Sequence, residues 1–307
     1  MIYQYIKVAI SSSSLNIFSQ NQSAGDQISG TLIGFSTPIS ITFFLISFCF
    51  IRKFITERKT KDAIWSTLTM TLGFLPGAAS IFFCLFGAIG IITLFYVAKN
   101  LKKKQTYVFI AVLPVIIAGV FIQGKNVDYG VRLLSKFDDN NIPIKALMYY
   151  RIFNIAIPSG DITPLGVGGG NFSSRAALTV SGEYLLKQPS FIPVTPSYYT
   201  QKYITDIYSK NNYGTFVNGF DGGSMVNEPF SEYITIFTEG GLISLILFLA
   251  VFFFIIMFSI RKNDPILLLM IFFSFLVLFT NNWVEYIEFS SSFFLVLSYL
   301  IRCETNA

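Results

Sequence analysis

The chain contains no histidine, and only three of its 307 residues are cysteine. Histidine is the commonest metal ligand and the usual proton acceptor near neutral pH, so both roles would need other residue types. The cysteines show neither a disulfide framework nor metal spacing, and Cys49 and Cys84 lie in apolar runs, as expected of core residues. A P-loop, a Gly-x-Gly-x-x-Gly turn and a dense Asp/Glu array are also missing from the sequence. We therefore predict no cofactor and no bound metal.

Charged residues are also scarce, at 13% of the chain against 53% hydrophobic residues, and the mean hydropathy is +0.60. A soluble domain carries about a quarter charged residues. The chain instead has long charge-free runs at 28–51, 63–98, 106–124, 240–260 and 265–284. Crossing the hydrocarbon takes roughly 20 apolar residues, and a backbone in lipid must pair its own N–H and C=O groups. We therefore predict an all-α, polytopic membrane protein in contact with the lipid bilayer.

The net charge of +5 would suggest nucleic acid as a partner if the protein were soluble. Here the basic residues cluster in short loops, at 52–61 and 99–104, which indicates cytoplasmic loops and no nucleic-acid partner. The run 63–98 is too long for one span and has the same charge at both ends. We therefore predict two short helices joined by a turn at Pro76–Gly77, in preference to one kinked helix.

Alternation of the remaining segments gives about seven spans and one large extracytoplasmic loop. We predict an outside segment at 1–27, about four spans in 28–124 and a loop subdomain at 125–230. About three spans then follow in 231–302, before a cytoplasmic tail at 303–307. No earlier span would carry the first 27 residues outside, so we expect N-terminal helices in a full-length relative.

The large loop is nearly neutral and rich in Tyr, Asn, Gly and Pro, a composition that suits sugar rings and equally suits a packing cap on the helices. Within it, "MYYRIFNIAI" predicts a short helix that includes Arg151. Its predicted apolar contacts are Leu147, Tyr150, Ile152, Ile155 and Ile157. A guanidinium can bind phosphate oxygens bidentately. "PLGVGGGNF" predicts a glycine turn whose N–H groups could hold an anion, or simply a tight turn.

The segment "EPFSEYITIFTEGGLISLILFL" opens the next span and carries Glu232 and Glu239. These carboxylates are seven positions apart, so they share one face of a helix. A carboxylate entering a membrane helix is costly unless it lines a cavity or is paired. One hypothesis pairs Glu239 with Arg151 or Arg175, which would tie the loop to the helix, and another makes Glu232 a general base.

An Arg-bearing helix, "TPLGVGGGNF" and "EPFSEYITIFTEGGLISLILFL", in that order, resemble the O-antigen polymerase and ligase superfamily of bacterial membrane enzymes. The hydropathy order agrees from about Ile28 to Arg302. The resemblance implies a glycosyltransferase-C-like fold in the bacterial inner membrane. It also implies transfer of a glycan from undecaprenyl pyrophosphate to an acceptor glycan at the outer face, without a metal, and a chain-length regulator protein as a partner.

The resemblance and the position of Arg151 make it the candidate pyrophosphate ligand, and we include Glu232 and Glu239 among the candidate catalytic residues. The candidate substrate-binding residues are Arg132, Gly166, Gly168, Gly170, Asn171 and Arg175. Phe230 stands where ligase-type relatives carry histidine, and it can neither accept a proton nor hydrogen-bond a hydroxyl. A polymerase is therefore favoured over a ligase. An inactive truncated relative remains an alternative, as does a transporter or flippase, although the sequence shows no internal repeat and almost no charge within spans.

Overall fold

A computed structural model of the protein describes residues 36–74, 79–99, 149–180, 195, 197–205, 231–280, 284 and 287–305. Every regular element within these ranges is helical, which confirms the predicted all-α class. The α-helices are α1 (Ser36–Glu57), α2 (Thr60–Phe74), α3 (Ala79–Lys99), α4 (Arg175–Val180), α5 (Tyr198–Thr200), α6 (Glu232–Lys262), α7 (Pro265–Thr280) and α8 (Ile287–Thr305). Two π-helical turns, Ile152–Ala156 and Gln201–Thr205, complete the described elements, and the second directly continues α5.

Two of these helices are long and apolar enough to cross a membrane, at Thr37–Glu57 and Glu232–Lys262. Shorter apolar helices lie at Ile81–Phe95, Pro265–Thr280 and Phe289–Arg302. Their length and composition support the predicted association with a membrane. The predicted span at 106–124 and the segment 1–27 lie outside the described residues.

The chain divides into two compact units. In the described residues, unit 1 contains α1, α2, α3, α8, the part of α6 from Ile255 onward and α7 as far as Val277. Unit 2 contains the described residues from 149 to 205, α6 as far as Phe254 and the end of α7 from Leu278.

The centre of unit 1 is α1, which packs against α2, α3 and α8. Phe44 of α1 is fully buried, and its ring meets Phe74, Phe82 and Phe273 edge to face, with centroids 5.1, 6.3 and 6.0 Å away. This is the geometry that the ring quadrupole favours. Gly73 makes room for the ring, because a Cβ at that position would lie 2.7 Å from it.

The run 63–98 forms two helices, α2 and α3, as predicted. The rings of Phe74 and Phe82 lie 5.0 Å apart, although eight residues of straight helix advance about 12 Å along its axis. One straight helix through both rings is therefore incompatible with this contact. The Pro76–Gly77 turn itself lies outside the described residues.

An ion pair fixes the start of α7 in unit 1. Asp264 is buried just before this helix, and its Oδ1 accepts hydrogen bonds from the N–H groups of Ile266 and Leu267, both at 3.1 Å. Its Oδ2 accepts a hydrogen bond from Arg52 of α1. The carboxylate thus caps one helix and binds another.

In unit 2 the predicted short helix of "MYYRIFNIAI" is present, but its buried face differs from the expectation. Ile152 and Ala156 are fully buried, whereas Tyr150 and Ile155 are exposed. The N–H of Ile157 bonds to the carbonyl of Ile152, an i→i+5 step that widens the turn and rotates the side chains away from ordinary helical spacing. The predicted contact at position 147 lies outside the described residues.

Candidate functional site

The membrane-type helix α6 is interrupted at Gly241, where φ is 77° and ψ is −177°. This backbone region is essentially restricted to glycine. A side chain would also not fit at position 241, because its Cβ would lie 2.4 Å from the carbonyl oxygen of Pro164. The same oxygen accepts a hydrogen bond from the N–H of Leu242 at 2.8 Å. The Gly-Gly pair in the sequence therefore allows a loop backbone to approach the helix closely.

The loop that makes this approach is the predicted glycine turn. The N–H groups of Val167 and Gly168 donate to the carbonyls of Thr238 and Glu239 at 2.8 and 3.0 Å. The break at Gly241 would otherwise leave helix carbonyls without partners. Gly166 has φ +81°, and a Cβ there would lie 2.4 Å from the carbonyl oxygen of Glu239. The two sequence motifs are thus complementary backbone surfaces.

The side chain of Glu239 completes the contact. Its Oε2 accepts a hydrogen bond from the N–H of Gly170 at 2.6 Å. Its Oε1 accepts hydrogen bonds from the N–H groups of Phe172 (3.0 Å), Ser173 (3.0 Å) and Ser174 (2.8 Å). Only 8% of Glu239 is exposed. A buried carboxylate is tolerated when donors surround it, and four N–H groups provide those donors here.

The opposite side of the same loop segment binds α5. The hydroxyl of Thr200 donates to the carbonyls of Phe172 and Asn171 at 2.9 and 3.2 Å. Ser197, just before α5, also donates its hydroxyl to the carbonyl of Asn171. On the side that faces α6, the hydroxyl groups of Ser173 and Thr235 are 2.8 Å apart. The segment therefore gives its N–H groups to α6 and its C=O groups to α5, which leaves it firmly bound on both sides.

This geometry changes the hypothesis for Glu239. Among the described residues, no ion pair joins Arg151 to Glu239, and the side chain of Arg175 lies outside the description. In the described residues, backbone N–H groups tie the loop to the helix, and the pairing of Glu239 with Arg175 stays a prediction. The anion that the N–H groups of the glycine turn hold is the carboxylate of Glu239, from the same chain. The Asn171 side chain closes the turn by donating to the Val167 carbonyl at 3.1 Å.

Glu232 lies two turns earlier in α6 and is also buried, with 4% of the residue exposed. Its Oε2 accepts a hydrogen bond from the N–H of Val284 at 3.3 Å. The preceding Ser231 donates its hydroxyl to the Leu278 carbonyl at 3.4 Å. Burial raises the pKa of nearby Tyr149. The entrance of α6 is therefore a buried polar cluster.

Arg151 is half-buried and immediately precedes the π-helical turn Ile152–Ala156. The segment around it packs on the first turns of α6, because Phe153 stacks on Phe237 with centroids 6.2 Å apart. Arg151 is thus held near the helix that carries both glutamates, within unit 2. Arg132 lies outside the described residues, so its role stays a prediction.

A second polar cluster, which we did not predict from the sequence, joins Asp161 to the π turn that follows α5. Asp161 Oδ2 accepts hydrogen bonds from Lys202 Nζ at 2.5 Å and from the Tyr203 hydroxyl at 2.6 Å. Lys202 Nζ also lies 2.8 Å from the hydroxyl of Tyr198. These bonds lower the pKa of Asp161 and raise that of Lys202, while burial raises the pKa of Tyr203. No motif signals the pair, since its members are 41 residues apart.

Within the described residues, no group of three or more Cys, Asp or Glu side chains could hold a metal ion. The described part of the site offers hydrogen-bond donors, carboxylates and the half-buried guanidinium of Arg151. Comparison of the chain with protein-family models, curated proteins and solved structures gave no match.

Proposed function

We propose that the protein is a membrane glycan polymerase that transfers an undecaprenyl-pyrophosphate-linked glycan to an acceptor glycan at the outer face of a bacterial inner membrane. In this reaction an acceptor hydroxyl attacks the anomeric carbon of the lipid-linked sugar. The bond from that carbon to the pyrophosphate oxygen breaks, the lipid pyrophosphate leaves with the bonding electron pair, and the proton of the hydroxyl is released to water or to the leaving pyrophosphate. The proposal includes about seven spans with the large loop outside, as the charge distribution indicates.

One observation carries the proposal: the two sequence blocks that resemble the superfamily bind each other. Gly170 in the first block and Glu239 in the second are 69 residues apart, yet they share a hydrogen bond of 2.6 Å. Two unrelated chance matches would have no reason to meet through complementary glycines and a buried carboxylate. Their contact supports a common functional unit beside the membrane.

Within this proposal the candidate residues take different roles. Glu239 is a positioning residue, because its oxygens are engaged by four N–H groups. Gly166, Gly168, Gly170 and Asn171 shape the docked turn. Arg151 remains the ligand for pyrophosphate, since a planar guanidinium binds phosphate oxygens bidentately and keeps its charge.

The test uses a bacterial strain with the gene deleted and variants supplied on a plasmid. Arg151→Ala is expected to abolish long polysaccharide on a gel while the amount of protein in the membrane stays normal. Arg151→Lys, which keeps the charge but loses the bidentate geometry, is expected to restore only part of the ladder. Arg261→Ala removes an exposed arginine at the far end of α6 and should leave the ladder unchanged.

Two contrary results of this experiment have different meanings. Normal polysaccharide after deletion of the whole gene would contradict the proposed function. A deletion that abolishes polysaccharide, followed by full restoration with Arg151→Ala, would contradict only the pyrophosphate role of Arg151.

A further inference from the structure

An apolar surface of unit 2 is formed jointly by the loop and by α6. Its exposed side chains include Tyr150, Phe153 and Leu165 from the loop and Leu242, Ile246 and Leu247 from α6. Leu165 is 74% exposed. Single exposed apolar residues are ordinary on soluble proteins, but contiguous ones mark an interaction surface.

The two parts of this surface are joined by direct contacts. Phe153 stacks on Phe237 of α6 at an angle of 17°. The backbone of Leu165 packs against Gly241, where a Cβ would lie 2.4 Å from the Leu165 carbonyl carbon. Leu165 is therefore held against α6 at the break, next to the point where the exposed Leu242 begins the apolar part of the helix.

The apolar part of α6 has the length of a bilayer core. The charge-free run from 240 to 260 covers roughly 30 Å at about 1.5 Å per residue, which matches a hydrocarbon thickness of about 30 Å. Only 11% of the most apolar stretch of α6 is buried within the protein. When α6 spans the membrane and its basic end at Arg261 and Lys262 lies in the cytoplasm, the break at Gly241 lies at the outer limit of the hydrocarbon.

We propose that the loop surface formed by Tyr150, Phe153 and Leu165 inserts into the outer leaflet of the bilayer and contacts lipid acyl chains. The occupant follows from continuity, since Leu165 lies against the break at Gly241, where the exposed apolar side of α6 begins at Leu242. The charged pair of Asp161 and Lys202 marks a part of the loop that faces water. The glycine turn is then a membrane-inserted element rather than part of a cap in the aqueous phase.

Tryptophan fluorescence tests this placement in the purified, reconstituted protein. Trp65 and Trp283 are first replaced by Phe, and single tryptophans are then introduced by Leu165→Trp, Leu247→Trp or Gln201→Trp. The vesicles contain phosphatidylcholine brominated either near the headgroup end or near the middle of the acyl chain. Gln201 is an exposed neighbour of Lys202 and provides the control for a water-facing position.

We expect shallow bromine to quench Leu165→Trp most strongly and deep bromine to quench Leu247→Trp most strongly. Gln201→Trp should respond to neither lipid and should be quenched by aqueous acrylamide. If Leu165→Trp behaves like Gln201→Trp, the proposal is overturned. If Leu165→Trp does not fold, Phe153→Trp takes its place, because it replaces one aromatic ring with another. Shallow bromine should then quench Phe153→Trp most strongly, and behaviour like that of Gln201→Trp would overturn the proposal. These outcomes are independent of glycan transfer.

Discussion

Unit 1 buries large aromatic rings such as Phe44, Phe48 and Phe273 between its helices, whereas unit 2 places a buried carboxylate against the backbone of a distant loop. Phe44 in unit 1 needs only apolar neighbours of suitable volume. Glu239 in unit 2 needs four N–H groups in fixed positions and two glycines that let the chains meet. The aromatic core of unit 1 should therefore tolerate conservative substitutions, and the Glu239 contact of unit 2 should not.

The largest effect is expected from Glu239→Ala, which leaves four N–H groups without their acceptor. Removing one partner of a buried charged interaction costs about 3–5 kcal/mol of unfolding free energy. Glu239→Gln keeps Oε1 for three N–H groups but presents an amide N–H₂ to Gly170, so a loss of about 1–3 kcal/mol is expected. Chemical unfolding in detergent measures both changes, and equal stability of Glu239→Ala and wild type would contradict the assigned contact.

The second-largest loss of stability is expected from Gly166→Ala. Its Cβ would lie 2.4 Å from a helix carbonyl oxygen, and φ is +81°. Strain of this kind costs about 1–3 kcal/mol before the clash is counted. Gly169→Ala is the matched control in the same turn, because a Cβ there meets nothing within 4 Å. Thermal unfolding should separate the two variants, and equal melting temperatures would show that the turn does not dock closely on α6.

Phe44→Leu tests the tolerance of unit 1. The replacement stays apolar, and we expect a loss of about 1.5 kcal/mol of unfolding free energy. Phe44→Ala should cost more than Phe44→Leu, because it leaves a cavity among Phe74, Phe82 and Phe273. The same unfolding assay measures both variants. A Phe44→Leu loss as large as that of Glu239→Ala would remove the distinction between the units.

The smallest effect is expected from Asp161→Asn, and it depends on pH. The bonds from Lys202 and Tyr203 hold the pKa of Asp161 below its usual value of 3.8, so protonation is weaker in the folded state. This carboxylate therefore stabilises the fold above that usual value and loses its contribution as the pH falls through the folded pKa. Wild type should be slightly more stable than Asp161→Asn at neutral pH. A difference that does not shrink in acid would contradict this assignment.

The all-α class was predictable because a backbone in long apolar runs pairs its own N–H and C=O groups most readily as a helix. The division of 63–98 into α2 and α3 followed from equal charge at both ends. The prediction that Tyr150 and Ile155 make buried apolar contacts was wrong. The spacing of apolar residues does not reveal a π-helical turn such as Ile152–Ala156.

The candidate site was predictable only in its parts. The glycine turn and the pair of glutamates were recognisable as separate motifs, and burial of Glu239 was expected to require a partner. The partners that the structure describes are backbone N–H groups, which no residue type in the sequence identifies. The pairing of Glu239 with Arg175 stays a prediction, because the side chain of Arg175 lies outside the described residues. The pair of Asp161 and Lys202 was missed for a related reason, since each residue taken alone resembles an ordinary surface charge.

Hydrogen exchange of the backbone amides at Gly170, Phe172, Ser173 and Ser174 tests the central claim most directly. A peptide covering this segment can be followed by mass spectrometry in wild type and in Glu239→Ala. We predict slow exchange in wild type and a rate increase of at least about tenfold in the variant, with the rates in α1 unchanged, since loss of about 1.4 kcal/mol of local stability gives that factor. Fast exchange of these amides in the wild-type protein would contradict the account.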